Sequence, residues 1–191
     1  MNIEQIQQQV IDADQLQIVG NKSHLKFTSS PTLEMSLYSG LIGYHPEELV
    51  MTAKSGTRIK DIESILGHKG QTLPFVVHDH ENATIGGAYA LGSPELRDAV
   101  LGVKIIDGQG RLLNFGGQVM KNVAGYDVAR LLVGSKGKLA VICEISFRVL
   151  PKAYAIHSTS SAELITPTPS AIRDYIEHGL KNVFDPNGVF V

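Results

Sequence analysis

The sequence has no tryptophan, one cysteine (Cys143), only 6% aromatic residues and no surplus of either charge. A single cysteine rules out an internal disulfide, so the 191 residues must be held by a packed core, and a cytosolic setting is expected. Lying in mid-strand, that thiol reads as inert core rather than as a nucleophile. The 17 basic and 19 acidic residues are interspersed, for a net charge of −2. No basic stripe is left for nucleic acid or anionic lipid. No apolar run approaches the roughly 18–20 residues of a membrane span. Residues 1–7 carry neither the basic nor the apolar region of a signal peptide. Familiar site signatures are missing as well: there is no G-x-G-x-x-G after a strand, no Walker lysine, no H-E-x-x-H and no C-x-x-C. His78-Asp79-His80 could chelate from an extended loop, but no second ligand pair completes it, so no metal site is expected.

What is present is 43% hydrophobic residues, enough for a real core, and 19 glycines. The glycine share, about a tenth against the usual ~7%, is clustered, which marks special backbone sites. Residues 2–10 fit a short helix with Ile3, Ile6 and Val10 on one side. Leu16 to Val19 fits a strand feeding the polar turn Gly20-Asn21-Lys22-Ser23. Residues 24–36 read as irregular, broken by Pro31. Leu49 to Ala53 is a second strand. A helix follows, with Thr57 as N-cap, a stripe of Ile59, Ile62, Ile65 and Leu66, and Gly67 or Gly70 at its end. Leu101 to Asp107 and Arg111 to Phe115 form a hairpin across Asp107-Gly108-Gln109-Gly110. Val123 to Val133 looks helical. Residues 139–149 are a strand whose alternation puts Val141, Cys143, Ile145, Phe147 and Val149 on one buried face. Residues 153–170, rich in hydroxyls and proline from 157 on, read as a linker. Ser170 can cap a last helix, with Ile172, Tyr175, Ile176 and Leu180 as its apolar face. Mixed strands and helices with a hairpin favour an α+β fold over a regular βαβ series.

Two turns have chemistry suited to a pyrophosphate. Gly20-Asn21-Lys22-Ser23 offers consecutive N–H groups, a hydroxyl and an ammonium. Ala83-Thr84-Ile85-Gly86-Gly87 offers the same kind of bend and can open a helix whose positive end favours phosphate. A tight turn or a helix cap explains either one equally well. The amide-rich stretch from Lys121 to Gly137 adds a third glycine-bearing wall, and together they favour an organic cofactor site. No catalytic base is identified.

Several motifs in sequence order resemble one family. They are Gly43-Tyr44-His45-Pro46-Glu47-Glu48-Leu49-Val50-Met51-Thr52-Ala53, Ala83-Thr84-Ile85-Gly86-Gly87, Arg97-Asp98-Ala99-Val100-Leu101-Gly102, and the long stretch from Gly116 to Gly137. The chain resembles the flavin domain of the vanillyl-alcohol-oxidase type (PCMH-type FAD-binding), and within it the flavin subunits of bacterial glycolate-type oxidases. The resemblance covers residues 16–152 almost without a break. It implies two α+β subdomains, about 1–85 and 86–152, with FAD held non-covalently between them, and a tail at 171–191 packing back on the domain. By the same resemblance Gly20, Asn21, Lys22 and Ser23, with Ala83, Thr84, Ile85, Gly86 and Gly87, hold the pyrophosphate. Ala90, Leu91, Gly92 and Ser93 line the flavin side. Lys121, Asn122 and Gly125 shape the pocket wall. Lys136, Gly137, Lys138, Leu139, Ala140, Val141 and Ile142 contact the nucleotide through backbone groups. Asp127 either caps the following helix or faces substrate. Three departures stand out: the short loop Ser93-Pro94-Glu95-Leu96, alanine for glycine at Ala140, and direct passage from Pro151 through the linker to Asp185-Pro186-Asn187-Gly188-Val189-Phe190, as if a covering cap domain were deleted. The implied function is the FAD-binding subunit of a complex that oxidises a small 2-hydroxy acid, with other subunits as partners. The alternative is a degenerate, non-catalytic scaffold or assembly subunit.

Overall fold

A computed structural model describes residues 1–21, 29–77, 81–117, 127–154 and 171–191. Helix α1 (Ile3–Ile11) opens on a capping box: Asn2 Oδ1 accepts from the Gln5 N–H, and Gln5 Oε1 accepts from the Asn2 N–H, both at 2.9 Å. Ile6 and Val10, four residues apart, share its buried face. Strands β1 (Gln17–Val19) and β2 (Thr32–Glu34) then pair in parallel. β2 falls within the stretch expected to be irregular. Pro31 does not break it; its carbonyl accepts from the Gln17 N–H at 2.8 Å, so the proline stands at the strand's start, where no donor is needed.

The chain continues through β3 (Leu41–His45), β4 (Val50–Lys54), α2 (Ile59–Gly67), β5 (Gln71–Thr72), α3 (Ile85–Leu91) and α4 (Pro94–Ala99). The hairpin β6 (Val100–Ile106) and β7 (Leu112–Gly116) follows, then α5 (Val128–Leu131), β8 (Val141–Arg148), β9 (Leu150–Pro151) and α6 (Ala171–Phe184). Five strands make one antiparallel sheet in the order β3-β4-β8-β6-β7, so strands from both sides of residue 85 share it. Asp107 fixes the hairpin turn: its buried carboxylate accepts from the Gln109 and Arg111 N–H groups and from the Arg111 side chain.

Four expectations change. The alternation of β8 does not put one residue set on one face. The register against β6 slips between Lys104 and Ile105, from Lys104↔Glu144 to Ile105↔Ile142, and leaves Cys143 as the extra residue. This bulge turns the strand over. Val141 and Cys143 face a small core with α1, while Ile142, Ile145, Phe147 and Val149 face the main one. Burial there pushes the Cys143 thiol up to about 12, which keeps it protonated and inert. Second, Thr57 is not the cap of α2. The N-cap is Arg58, and the Thr57 hydroxyl is spent elsewhere, donating to the Lys54 carbonyl of its own turn at 2.7 Å and accepting from the Gly40 N–H at 3.0 Å. Third, in the stretch 123–133 the described helix covers only Val128–Leu131, because Asp127 starts it by accepting from the Arg130 N–H at 3.1 Å; residues 123–126 lie outside the described residues. Fourth, the apolar face of α6 is not buried along its length. Ile172, Tyr175 and Ile176 are exposed, and the helix docks through Leu180 and Phe184, whose ring meets Phe115 edge-on at 6.4 Å.

The main core lies between the sheet and α2, α3, α4 and α5, with Met51, Ile62, Tyr89, Ile105 and Phe147 essentially inaccessible. A smaller core joins α1, β1, β2 and residues 189–190 to the far end of the sheet. Val189 and Phe190 close that small core. The Leu16 N–H donates to the Val189 carbonyl at 2.7 Å, and Leu16 and Phe190 form a parallel bridge beside β1. No helix among the described residues is long and apolar enough to cross a membrane.

Candidate functional site

The site begins where β4 turns into α2. The Gly56 N–H donates to the Tyr38 carbonyl, and a Cβ on Gly56 would stand 2.1 Å from the Met35 carbonyl oxygen, so only glycine fits. The turn 83–87 lies across this bend. Arg58 and Thr84 face each other in an antiparallel bridge, closed by Ile59 N–H to Ala83 C=O and Ile85 N–H to Thr57 C=O, both 2.9 Å. The Gly86 N–H donates to the Ser55 carbonyl at 2.8 Å, and Thr84 caps α3 by accepting from the Gly87 N–H at 3.1 Å. The end of β1 arrives at the same place. A Cβ on Gly20 would stand 3.0 Å from Thr84 Oγ1, and Asn21 Nδ2 donates to the Asn82 carbonyl at 3.0 Å. Gly20-Asn21 of the first turn and the turn 83–87, far apart in sequence, thus meet. A cavity of about 390 Å³ opens there, lined by both turns through Asn21 and Thr84, with Ser36, Ser39, Gly56 and Arg58 among its walls. That size falls within the roughly 300–1,000 Å³ of small-ligand sites.

Helix α3 leads from this cavity to the second group of expected residues. Tyr89, fully buried, donates its hydroxyl to the Ala129 carbonyl, and burial pushes its phenol well above the usual range. The Gly134 N–H donates to the Tyr89 carbonyl and the Lys136 N–H to the Ala90 carbonyl, at 3.0 and 2.9 Å. Gly92, with φ +76°, lies so close to Gly134 that a Cβ would be 2.9 Å from its Cα. Ser93 caps α4, accepting from the Leu96 N–H at 3.1 Å, so the short loop is the start of a helix. Lys136 and Gly137 both take positive φ, at +55° and +75°, which turns the chain back into β8. Gly137 rests against Ile18 of β1, and the Lys138 carbonyl accepts from Lys181 Nζ of α6 at 2.8 Å. Leu139 packs on the main core from its edge, while Ala140 and Ile142 are inside it and Val141 is inside the small one. The Ala140 methyl is therefore directed into protein.

The structure brings Gly20, Asn21, Ala83, Thr84, Ile85, Gly86 and Gly87 together. It joins Ala90, Leu91, Gly92 and Ser93 to the turn at 134–138 through α3. Lys22, Ser23, His78, Asp79, His80, Lys121, Asn122 and Gly125 lie outside the described residues. At Gly20, Gly86 and Gly92 the space of the missing Cβ is filled by protein, so these glycines serve turn-on-turn packing. Two residues went unread in the sequence: Arg58, which lines the cavity, and Ser55, next to the lining Gly56, whose buried Oγ has no partner among the described residues. An arginine just before a helix is too common to stand out in a sequence. The cavity carries one cation and two carboxylates, Glu34 and Asp61, among its described walls; the Arg58 side chain and the hydroxyls of Ser36, Ser39 and Thr84 are the groups that fit a phosphate-bearing cofactor.

Residues 12–116 match the family described as FAD binding domain. The chain is 45% identical over 166 residues to glycolate oxidase subunit GlcE of Escherichia coli (strain K12), a match covering 80% of this chain and 47% of that protein. It is 32% identical over 114 residues to glycolate oxidase subunit GlcD of Bacillus subtilis (strain 168), covering 56% of this chain and 24% of the relative. Among solved structures, an alkyldihydroxyacetonephosphate synthase superposes with a TM-score of 0.61 at 17% identity, over 78% of this chain and 30% of that one. The chain thus spans about half or less of the length of these relatives.

Proposed function

The chain belongs to the FAD binding domain family, and from that premise we propose that it is the FAD-binding subunit of a complex oxidising a glycolate-type 2-hydroxy acid. The observation that carries this reading is the convergence of Gly20-Asn21 and Ala83–Gly87 on one polar cavity. The likeness to a glycolate oxidase subunit over 80% of the chain supplies the substrate class. In this reading residues 1–152 form the cofactor-binding unit and the turn at 136–138, tied down by Lys181, presents backbone groups to the nucleotide. Asn21 and Thr84 hold the diphosphate, and α3 carries residues 90–93 toward the flavin side. FAD, when bound, supplies two-electron acceptance from the hydroxy acid. The chain's own part is to bind and orient it, and other subunits complete the site and exclude water. FAD is held non-covalently.

The alternative, a scaffold subunit without turnover, is favoured by one feature. The groups at 90–93 are engaged internally: the Ala90 carbonyl by Lys136, the Gly92 N–H by Ala88, and the Ser93 hydroxyl by α4. The visible absorption spectrum of the purified chain, with and without added FAD, separates the readings. Flavin bands that stay with the protein on gel filtration are expected. A colourless protein that takes up no FAD at high concentration leaves the scaffold reading. With FAD bound, glycolate turnover is expected to be low for the chain alone and to rise when partner subunits are added; full turnover by the chain alone would refute the need for partners.

A further inference from the structure

The turn 83–87 has little left to give an anion. Its helix-opening N–H groups are spent inside the protein: Ile85 on the Thr57 carbonyl, Gly86 on the Ser55 carbonyl and Gly87 on Thr84 Oγ1. A diphosphate in the adjoining cavity needs its charge met from elsewhere. Among the described residues lining that cavity the one cation is Arg58. It stands opposite Thr84 in the antiparallel bridge, is exposed, and forms no ion pair among the described residues. The neighbouring Lys60 is already paired, with Glu81 at 3.3 Å. Two carboxylates share the cavity wall. Glu34 accepts from the Ser36 hydroxyl at 2.9 Å, and Asp61 sits in the first turn of α2, where the helix dipole favours a negative charge. Neither is bonded to Arg58.

We propose, resting on the FAD-binding reading, that Arg58 meets the negative charge of the cofactor's diphosphate beside Asn21 and Thr84. Its planar fork of N–H donors can engage phosphate oxygens in pairs, which a lysine ammonium cannot do. Among the described residues, the assignment makes the β4–α2 bend, and not the opening of α3, the source of positive charge in this site. It also gives a role to the one cation in a polar cavity whose described lining includes Asn21, Arg58 and Thr84.

The test titrates the full chain and its Arg58→Ala, Arg58→Lys and Arg58→Glu variants with FAD, ADP and riboflavin. Flavin fluorescence follows the first and third, and calorimetry follows ADP. Arg58→Ala is expected to raise Kd for FAD and ADP by about tenfold or more. Arg58→Glu should raise both further, Arg58→Lys should fall between, and riboflavin affinity should not change. Added salt should weaken FAD binding more in the parent than in Arg58→Ala. Unchanged FAD and ADP affinities in Arg58→Ala overturn the assignment and leave the FAD reading standing. Equal weakening of riboflavin also overturns it, since the residue would then act on the flavin or the fold. A parent chain that binds ADP in an Arg58-dependent way but takes no FAD keeps the role of Arg58 and removes the flavin. Binding of neither ends both.

Discussion

At Gly86 and at Gly67 the same residue type stands in opposite surroundings. A Cβ on Gly86 would lie 2.6 Å from Ser55 Cβ and 2.8 Å from the Ser55 carbonyl oxygen; one on Gly67 would meet nothing within 4 Å. Gly86→Ala is therefore expected to destabilise by about 1–3 kcal/mol, because the turn must move off Ser55. Gly67→Ala, at the end of α2, should stabilise by up to about 1 kcal/mol, by lowering the entropy of the unfolded chain. Urea unfolding of the two variants checks this, and a common sign for both would sink the argument. Clustered glycines are legible in a sequence as special backbone sites. What they make room for is not, because the answer lies on distant segments: Ser55 for Gly86, and Gly134 for Gly92. A cofactor and a neighbouring turn leave the same trace in the sequence.

Among elements, α3 ties the cavity to the turn before β8, and the Tyr89 hydroxyl is its fastening to α5. Tyr89→Phe removes one buried bond and leaves the Ala129 carbonyl unsatisfied, at an expected cost of about 1–3 kcal/mol. Hydrogen exchange should quicken at the Gly134 and Lys136 amides, which donate to carbonyls of α3. Unchanged exchange there would mean the clamp does not hold the turn. The elements whose signals are local were readable in advance. Asp107 and its glycines mark the hairpin, and the stripe of Ile59, Ile62 and Leu66 marks α2. The bulge in β8 was not readable, because a strict alternation of apolar residues looks the same with or without a register slip. The exposure of Ile172, Tyr175 and Ile176 was likewise hidden, since a helical stripe tells which residues share a face and not how much of that face finds a partner.

For the whole molecule, the motifs spread from Tyr44 to Gly137 gave the family and the α+β class, and they could do so because they mark bends that this fold repeats. They did not reveal how residues 184–191 are held. Asp185 is buried and accepts from the Val189 and Phe190 N–H groups and from Lys181, whose ammonium also reaches the Phe190 and Lys138 carbonyls. Asp185→Ala strands these donors and is expected to cost about 3 kcal/mol or more. Limited proteolysis should then cut within residues 12–19, ahead of the five-stranded sheet. Resistance equal to the parent would show that the small core stands without this clasp.

The bond between Leu16 and Val189 joins segments far apart in the sequence. The intervening chain must be gathered before that contact can form, and contacts of such long range slow folding. During synthesis α1, β1 and β2 emerge early and then wait, with Ile6, Val10, Leu16 and Leu33 incompletely covered, until residues 189–190 arrive to complete their core. Assembly of this part of the fold is thus timed by a segment that comes much later in the sequence. In the interval its apolar face is open to chaperones, to other nascent chains, or to premature association.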